Sequence, residues 1–154
     1  MKVNIEIASG VEETEVLIRC GQLDETVIGL QNYILKQGCG RQVLALRQGD
    51  TDYFVEVKEI LFFETQGRVI CAHTRDKLFR AEYKLYELEE LLPSSFIRIS
   101  KSTIVNMDYI YSITRNLTAS SIIEFTGSKK TVMVSRGYYK VLVERLSTRR
   151  LGAN

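Results

Sequence analysis

The sequence is poor in the residues that disorder, disulfide frameworks and most enzyme chemistry require. Its 154 residues include one proline, one histidine and three cysteines, and no stretch is rich in glycine and serine. A chain of this kind is not a flexible linker or tail. Cys20, Cys39 and Cys71 are odd in number and lack CxxC spacing, which predicts a reducing compartment without a disulfide framework.

Long apolar segments are missing too. No run approaches the roughly 18 residues that cross a membrane, and the first residues lack the profile of a secretion signal. With 45% hydrophobic and 26% charged residues, the composition is that of a globular protein with a substantial core. We therefore expect a cytoplasmic protein.

The parts of an active site are also absent from the sequence. The single histidine, His73, lies two residues from Cys71 on the same face of a predicted strand, but no third group orients the pair. Metal-ligand spacings, glycine-rich nucleotide motifs and the GxSxG nucleophile motif do not occur. We therefore predict a protein that is not an enzyme, with no cofactor, no metal and no small-molecule substrate.

Charge is distributed unevenly along the chain. The net charge is +2, but residues 1–40 hold three basic and six acidic side chains. Residues 41–154 hold the other 18 basic and 13 acidic side chains. A net positive segment suits a polyanionic partner, and this surplus gives weak support to nucleic-acid binding.

Hydrophobic periodicity sets the first residues apart from the rest. Residues 3–7 alternate apolar and polar side chains, and residues 15–20 contain a second apolar run, so both are predicted strands. Asp24 is a candidate cap for a helix that carries apolar residues at helical spacing up to Leu35 and ends at Gly38. We predict that residues 1–41 form a small strand–strand–helix unit that dimerises or contacts a partner.

From residue 42 onward, the pattern is typical of strands. Apolar runs separated by turn signals predict strands near residues 43–46, 53–57, 60–64, 69–74, 96–99, 109–114, 121–125 and 131–134. The run at 60–64 is almost entirely apolar, which predicts a strand covered on both faces.

Two helices interrupt or follow these strands. Leucines predict a short helix over residues 84–92 that ends before Pro93. Ser135 can cap a last helix with Tyr139, Leu142 and Leu146 on its inner face. We therefore predict a mainly β domain, a β-rich α+β fold with short helices, over residues 42–147, and a polar, fraying tail over residues 148–154.

Basic and hydroxyl side chains lie in the predicted connections, where a rigid sheet can present them to a ligand. Arg68 lies in a turn, Lys101 follows a strand, and Arg136 lies between the last strand and the last helix. Arginine can donate two hydrogen bonds to guanine, while lysine and serine suit phosphates or single base acceptors. The candidate DNA-binding residues are Arg68, Ser100, Lys101, Ser102, Lys129, Lys130 and Arg136.

Asn106 and the tyrosines have simpler explanations than binding. We expect the Asn106 amide to satisfy backbone groups of a turn. RNA binding would require exposed aromatic side chains for base stacking. The tyrosines occupy periodic positions that are typical of a core or of half-buried strands, so RNA binding is the least favoured alternative.

The stretch from Phe96 to Asn106 resembles the signature of the LytTR DNA-binding domain family. The matching positions are Phe96, Arg98, Lys101-Ser102, Val105-Asn106 and Asp108-Tyr109-Ile110. Residues 60–64, 85–93 and 134–136 are similar to the family in order and spacing, so the resemblance spans about residues 42–147. It implies a strand-built DNA-binding fold of bacterial transcription factors, whose loops enter successive major grooves and bend the duplex.

The resemblance also implies which side chains contact bases. Transferred position by position, these contacts fall on Arg68, Lys101 and Arg136. The last two align without a gap, whereas the turn at Arg68 is shorter than in family members. Many members carry a phosphoacceptor receiver domain, which a unit of residues 1–41 is too small to house. Stand-alone members imply control by abundance, by oligomerisation or by a membrane-bound inhibitory partner.

The sequence therefore predicts a sequence-specific regulator that inserts basic loops into the major groove of double-stranded DNA. We expect promoter repeats as its target and a homodimer as its functional form. The alternative is a protein–protein interaction module of the same fold that acts through its acidic N-terminal unit.

Overall fold

The computed structural model describes residues 16–22, 24–36, 42–117 and 119–151. The chain divides into two compact units, Met1–Cys39 and Gly40–Asn154. The predicted strand at residues 3–7 lies outside the described residues. No helix in the described part of the chain is long and apolar enough to cross a membrane.

Helix α1 (Glu25–Lys36) is the regular element described in the first unit. The Asp24 side chain accepts a hydrogen bond from the Val27 backbone N–H at 2.9 Å, so the predicted cap is confirmed. Residues 16–20, in contrast, adopt no regular secondary structure, and Val16 and Leu17 are exposed. The second predicted strand is therefore wrong, because no strand in the described part of the chain pairs with this short apolar run.

The second unit is mainly β, as predicted. Two sheets contain every described strand, and all strand pairs are antiparallel. The seven-stranded sheet has the order β2-β1-β5-β4-β3-β7-β6, and the three-stranded sheet has the order β10-β9-β8. The strands are β1 (Val43–Gln48), β2 (Thr51–Glu56), β3 (Phe62–Gln66), β4 (Val69–His73), β5 (Leu78–Ala81), β6 (Phe96–Arg98), β7 (Thr103–Asn106), β8 (Ile110–Thr114), β9 (Ser121–Phe125) and β10 (Thr131–Val134).

Two helices pack on these sheets, α2 (Leu85–Leu91) and α3 (Arg136–Leu151). Helix α2 begins where Glu87 accepts a hydrogen bond from the Lys84 backbone N–H at 2.8 Å. Its buried leucines, Leu85 and Leu88, join the core on one face of the large sheet. Helix α3 and the small sheet contribute to a separate core on the other face.

Strand β3 connects the two cores. Phe63 is fully buried in the core beneath α2, whereas Phe62, the adjacent residue, belongs to the core beneath the small sheet. Successive side chains of a strand point to opposite faces, so one apolar strand can fill both cores. The predicted strand covered on both faces is confirmed, although it begins at Phe62 rather than at residue 60.

Helix α3 is longer than its sequence predicts. Leu142 is fully buried, and Tyr139 and Leu146 pack beside it, so the predicted inner face is confirmed. The tail predicted to fray from residue 148 is instead helical to Leu151. The Thr148 hydroxyl donates to the Glu144 carbonyl at 2.9 Å, and Arg149 forms an ion pair with Asp108. These contacts give the polar residues partners within the folded domain.

Asn106 is a buried structural residue, as expected. Its side-chain amide donates to the Ile60 carbonyl at 3.1 Å and accepts from the Asp108 backbone N–H at 3.1 Å. Only 1% of the residue is exposed. A buried polar side chain with both functions satisfied stabilises a single arrangement of the strands around it.

Candidate nucleic-acid interface

The hairpin between β3 and β4 presents Arg68. Gln66 pairs with Val69, so the two residues between them form the turn. Gly67 occupies the left-handed region with φ 62°, which side chains rarely adopt, and this favours glycine at the first position of a tight hairpin. Arg68 follows it with an exposed side chain.

The connection between β6 and β7 presents Lys101. Residues 99–102, called here the central turn, close with a hydrogen bond from the Ile99 N–H to the Thr103 carbonyl at 3.0 Å. Ser100 is buried, and its hydroxyl accepts a hydrogen bond from the Ser102 N–H at 3.1 Å. Lys101 and Ser102 are exposed. Ser100 therefore shapes the central turn, while its two neighbours face solvent.

The last strand-to-helix junction presents Arg136. It is the first residue of α3, and its side chain is exposed. The preceding residue, Ser135, donates its N–H to the Ile99 carbonyl at 3.0 Å. This hydrogen bond places the start of α3 beside the central turn, although the two segments are distant in sequence.

Backbone hydrogen bonds bring these three cations to one end of the domain. The Thr65 N–H donates to the Ser102 carbonyl at 2.8 Å, which joins the β3–β4 hairpin to the central turn. We call Arg68, Lys101 and Arg136 the basic tip. Because each belongs to a different segment, the tip depends on the fold rather than on a local motif.

The structure places Lys129 and Lys130 at the opposite end. Both precede β10, whose other end leads to Arg136. The Lys130 ammonium donates to the carbonyls of Thr74 and Lys77, each at 2.8 Å, and burial lowers its pKa. Lys130 thus ties the β9–β10 turn to the β4–β5 connection, while Lys129 is exposed. We call this the distal end, with Arg75, Lys77, Lys129 and Lys130 as its basic residues.

Sequence reasoning assigned no role to Arg98, which the structure places against the central turn. Its guanidinium donates to the carbonyls of Ser100 and Lys101 and to the carboxylate of Glu89. Its position within the Phe96–Asn106 stretch was the available signal. The sequence could not identify Ser100 and Lys101 as its partners, because Arg98 bonds to their backbone carbonyls, which every residue has.

Cys71 and His73 are both buried in strand β4. Burial, followed by the nearby Glu64 charge, raises the pKa of the Cys71 thiol, which favours the protonated thiol over the nucleophilic thiolate. Burial also lowers the pKa of His73, against the opposing effect of Glu64, whose Oε1 lies 2.9 Å from the ring Nε2. Its ring stacks on Phe62 at 4.1 Å between centroids. In the described residues, no group of three potential metal ligands occurs.

The lowered pKa of His73 predicts a pH dependence of stability. A folded state that binds this proton less readily than the unfolded chain is destabilised by acid, so stability is retained above the unfolded pKa of about 6.5 and declines below it. Urea unfolding between pH 7 and pH 5.5 should show this decline, and His73→Gln should reduce it. Equal slopes for both proteins would contradict a buried neutral imidazole.

Comparisons with known proteins agree on one family. The model of the LytTr DNA-binding domain family matches residues 50–147. An uncharacterised HTH-type transcriptional regulator of Staphylococcus aureus strain NCTC 8325 is 28% identical over 148 residues, which is 96% of this chain and 99% of that protein. Its counterpart in strain COL gives the same values. The similarity therefore extends beyond the matched domain into the N-terminal unit.

A solved structure has the same fold. A LytTr DNA-binding domain from Bacillus cereus has a TM-score of 0.64 and 26% identity, with 70% of this chain and 98% of that chain covered. The Staphylococcus relatives are named as helix-turn-helix proteins. In the part of the chain that the structure describes, however, β6 to β10 separate α2 from α3, and no two α-helices are consecutive.

Proposed function

Since this chain belongs to the LytTr DNA-binding domain family, we propose that it is a transcriptional regulator that binds specific double-stranded DNA. The basic tip enters the major groove, with Lys101, Arg136 and Arg68 contacting base edges. Ser102 of the central turn and Lys129 of the distal end are exposed and contact phosphates. Ser100 supports this surface from beneath by shaping the central turn.

One observation carries this proposal. Three exposed cations from separate segments are linked at one end of the domain by two backbone hydrogen bonds, Thr65 N–H to Ser102 and Ser135 N–H to Ile99. A rigid set of donors can match a spaced pattern of acceptors in the major groove. Unlinked surface lysines would instead bind any duplex through its phosphates.

Selection of bound duplexes from a random pool tests the proposal directly. We expect a defined site, and its repeat spacing will report the number of copies on DNA. Fluorescence anisotropy with that site and with a shuffled duplex then gives specific and nonspecific affinities. A pool that yields no enriched sequence, together with equal affinities, would reject sequence-specific binding.

Lys129 provides a separate test of how far the duplex extends. A phosphate contact at the distal end requires the DNA to bend toward it, and Lys129→Ala should then weaken all duplexes alike and reduce the salt slope by about 1. Anisotropy titrations at several salt concentrations measure that slope. An unchanged slope would remove Lys129 from the interface.

The alternative is a protein-interaction module that acts through the N-terminal unit. It is favoured by the exposed Ile28 and Tyr33 of α1, which are 41% and 61% accessible, and by the acidic surplus of residues 1–40. We propose homodimerisation as its first role, with a membrane-bound inhibitory partner as a second. Deleting residues 1–40 should abolish dimerisation in analytical ultracentrifugation while half-site binding remains. A full-length protein that dimerises through residues 1–40 but binds no specific DNA would favour the alternative.

A further inference from the structure

We propose that Arg98 is a positioning residue for DNA recognition, and that it holds the central turn in the shape that presents Lys101. Glu89 of α2 fixes Arg98 in turn, so a helix that does not form part of the basic tip contributes to base selectivity. This inference rests on the proposed function of Lys101. It assigns to Arg98 no contact with DNA of its own.

The geometry shows a single guanidinium shared among three acceptors. Nε donates to the Ser100 carbonyl at 3.0 Å, and Nη2 donates to the Lys101 carbonyl at 2.5 Å. Nη1 donates to Glu89 Oε2 at 2.8 Å. Two of these acceptors are consecutive carbonyls of the central turn, and the third belongs to α2.

These contacts favour a positioning role for Arg98 over direct contact with DNA. Its side chain is only 25% exposed, and its charge is already paired with a carboxylate. A guanidinium engaged in this way is a poor ligand for a further phosphate. Its rigid, planar set of donors, however, can fix two successive carbonyls at once, which a lysine ammonium cannot match.

The central turn is the place where such fixation matters most. Its outer residues bond to Thr65 and Ser135, so its conformation also sets the spacing of the hairpin and of α3. A small displacement of donors from their acceptors weakens base recognition more than phosphate contact, because bidentate geometry is strict and phosphate attraction is not.

A double-mutant cycle tests the inference. Arg98→Gln should weaken binding to the selected duplex about tenfold and leave binding to the shuffled duplex within about twofold. In a Lys101→Ala background, the same change should cost markedly less, because the side chain that Arg98 positions has gone. Glu89→Gln should act in the same direction with a smaller loss, and Glu90→Gln, an exposed neighbour on α2, should have no effect.

The next two outcomes would overturn the inference. If Arg98→Gln weakens both duplexes equally, Arg98 contacts phosphate directly. If its loss is the same with and without Lys101, it acts independently of that side chain. Arg98→Gln could be too unstable for its binding to be measured. In that case the affinities of Glu89→Gln and Arg98→Lys for the two duplexes test the inference, because both substitutions retain most of the side-chain packing. If Lys101→Ala alone leaves selectivity unchanged, the proposed function of Lys101 fails, and this is visible before any Arg98 variant is compared.

Discussion

Replacing Arg136 by alanine should cost about 1–3 kcal/mol of specific binding free energy and relax selectivity at one base pair. The side chain is exposed at the first position of α3, and the Ser135–Ile99 hydrogen bond holds that position beside the central turn. Lys101→Ala should lose selectivity at a different position of the same site. Anisotropy with single-base variants of the selected duplex measures both effects.

Lys77→Ala provides the matched control for these variants. Lys77 is an exposed cation at the distal end, so its loss removes the same charge without touching the basic tip. Selectivity should then be unchanged, whatever the effect on nonspecific affinity. If Arg136→Ala and Lys77→Ala weaken the specific and shuffled duplexes by the same factor, Arg136 does not contact a base.

Periodicity predicted the elements that local sequence determines. The Asp24 cap, the strand with Phe62 and Phe63, and the Leu142 face of α3 all depend on residues close to one another in the chain. Strands β5 (Leu78–Ala81) and β7 (Thr103–Asn106) were missed, although β6 and β10 are no longer and were predicted. Such strands are stabilised by their neighbours in the sheet, which sequence does not reveal.

The basic tip could be predicted in part. The three cations were recognisable as residues in connections, and the resemblance to the family assigned them to bases. Which cations share an end of the domain was not predictable. That depends on strand direction, and β10 separates Lys129 from Arg136 by its whole length. The partners of Lys130 were unpredictable for the same reason, because they are carbonyls of the β4–β5 connection.

Asn106 and Lys101 lie at opposite ends of β7 in the same signature, and they should respond to mutation in opposite ways. Asn106→Leu should lower the free energy of unfolding by about 2–4 kcal/mol, because the buried Ile60 carbonyl would be left without a donor and the Asp108 N–H would lose its acceptor. Urea denaturation measures this loss. Below the melting temperature, affinity for the selected duplex should be close to that of the parent protein.

Asn106→Ser separates the two hydrogen bonds that Asn106 makes. A serine hydroxyl can accept from the nearby Asp108 N–H, but it is too short to reach the Ile60 carbonyl, so its destabilisation should be intermediate. Lys101→Ala should show the reverse pattern, with nearly unchanged stability and reduced selectivity, because Lys101 is exposed. An Asn106 variant that melts like the parent yet loses selectivity would place this amide at the DNA, contrary to its burial at 1% exposure.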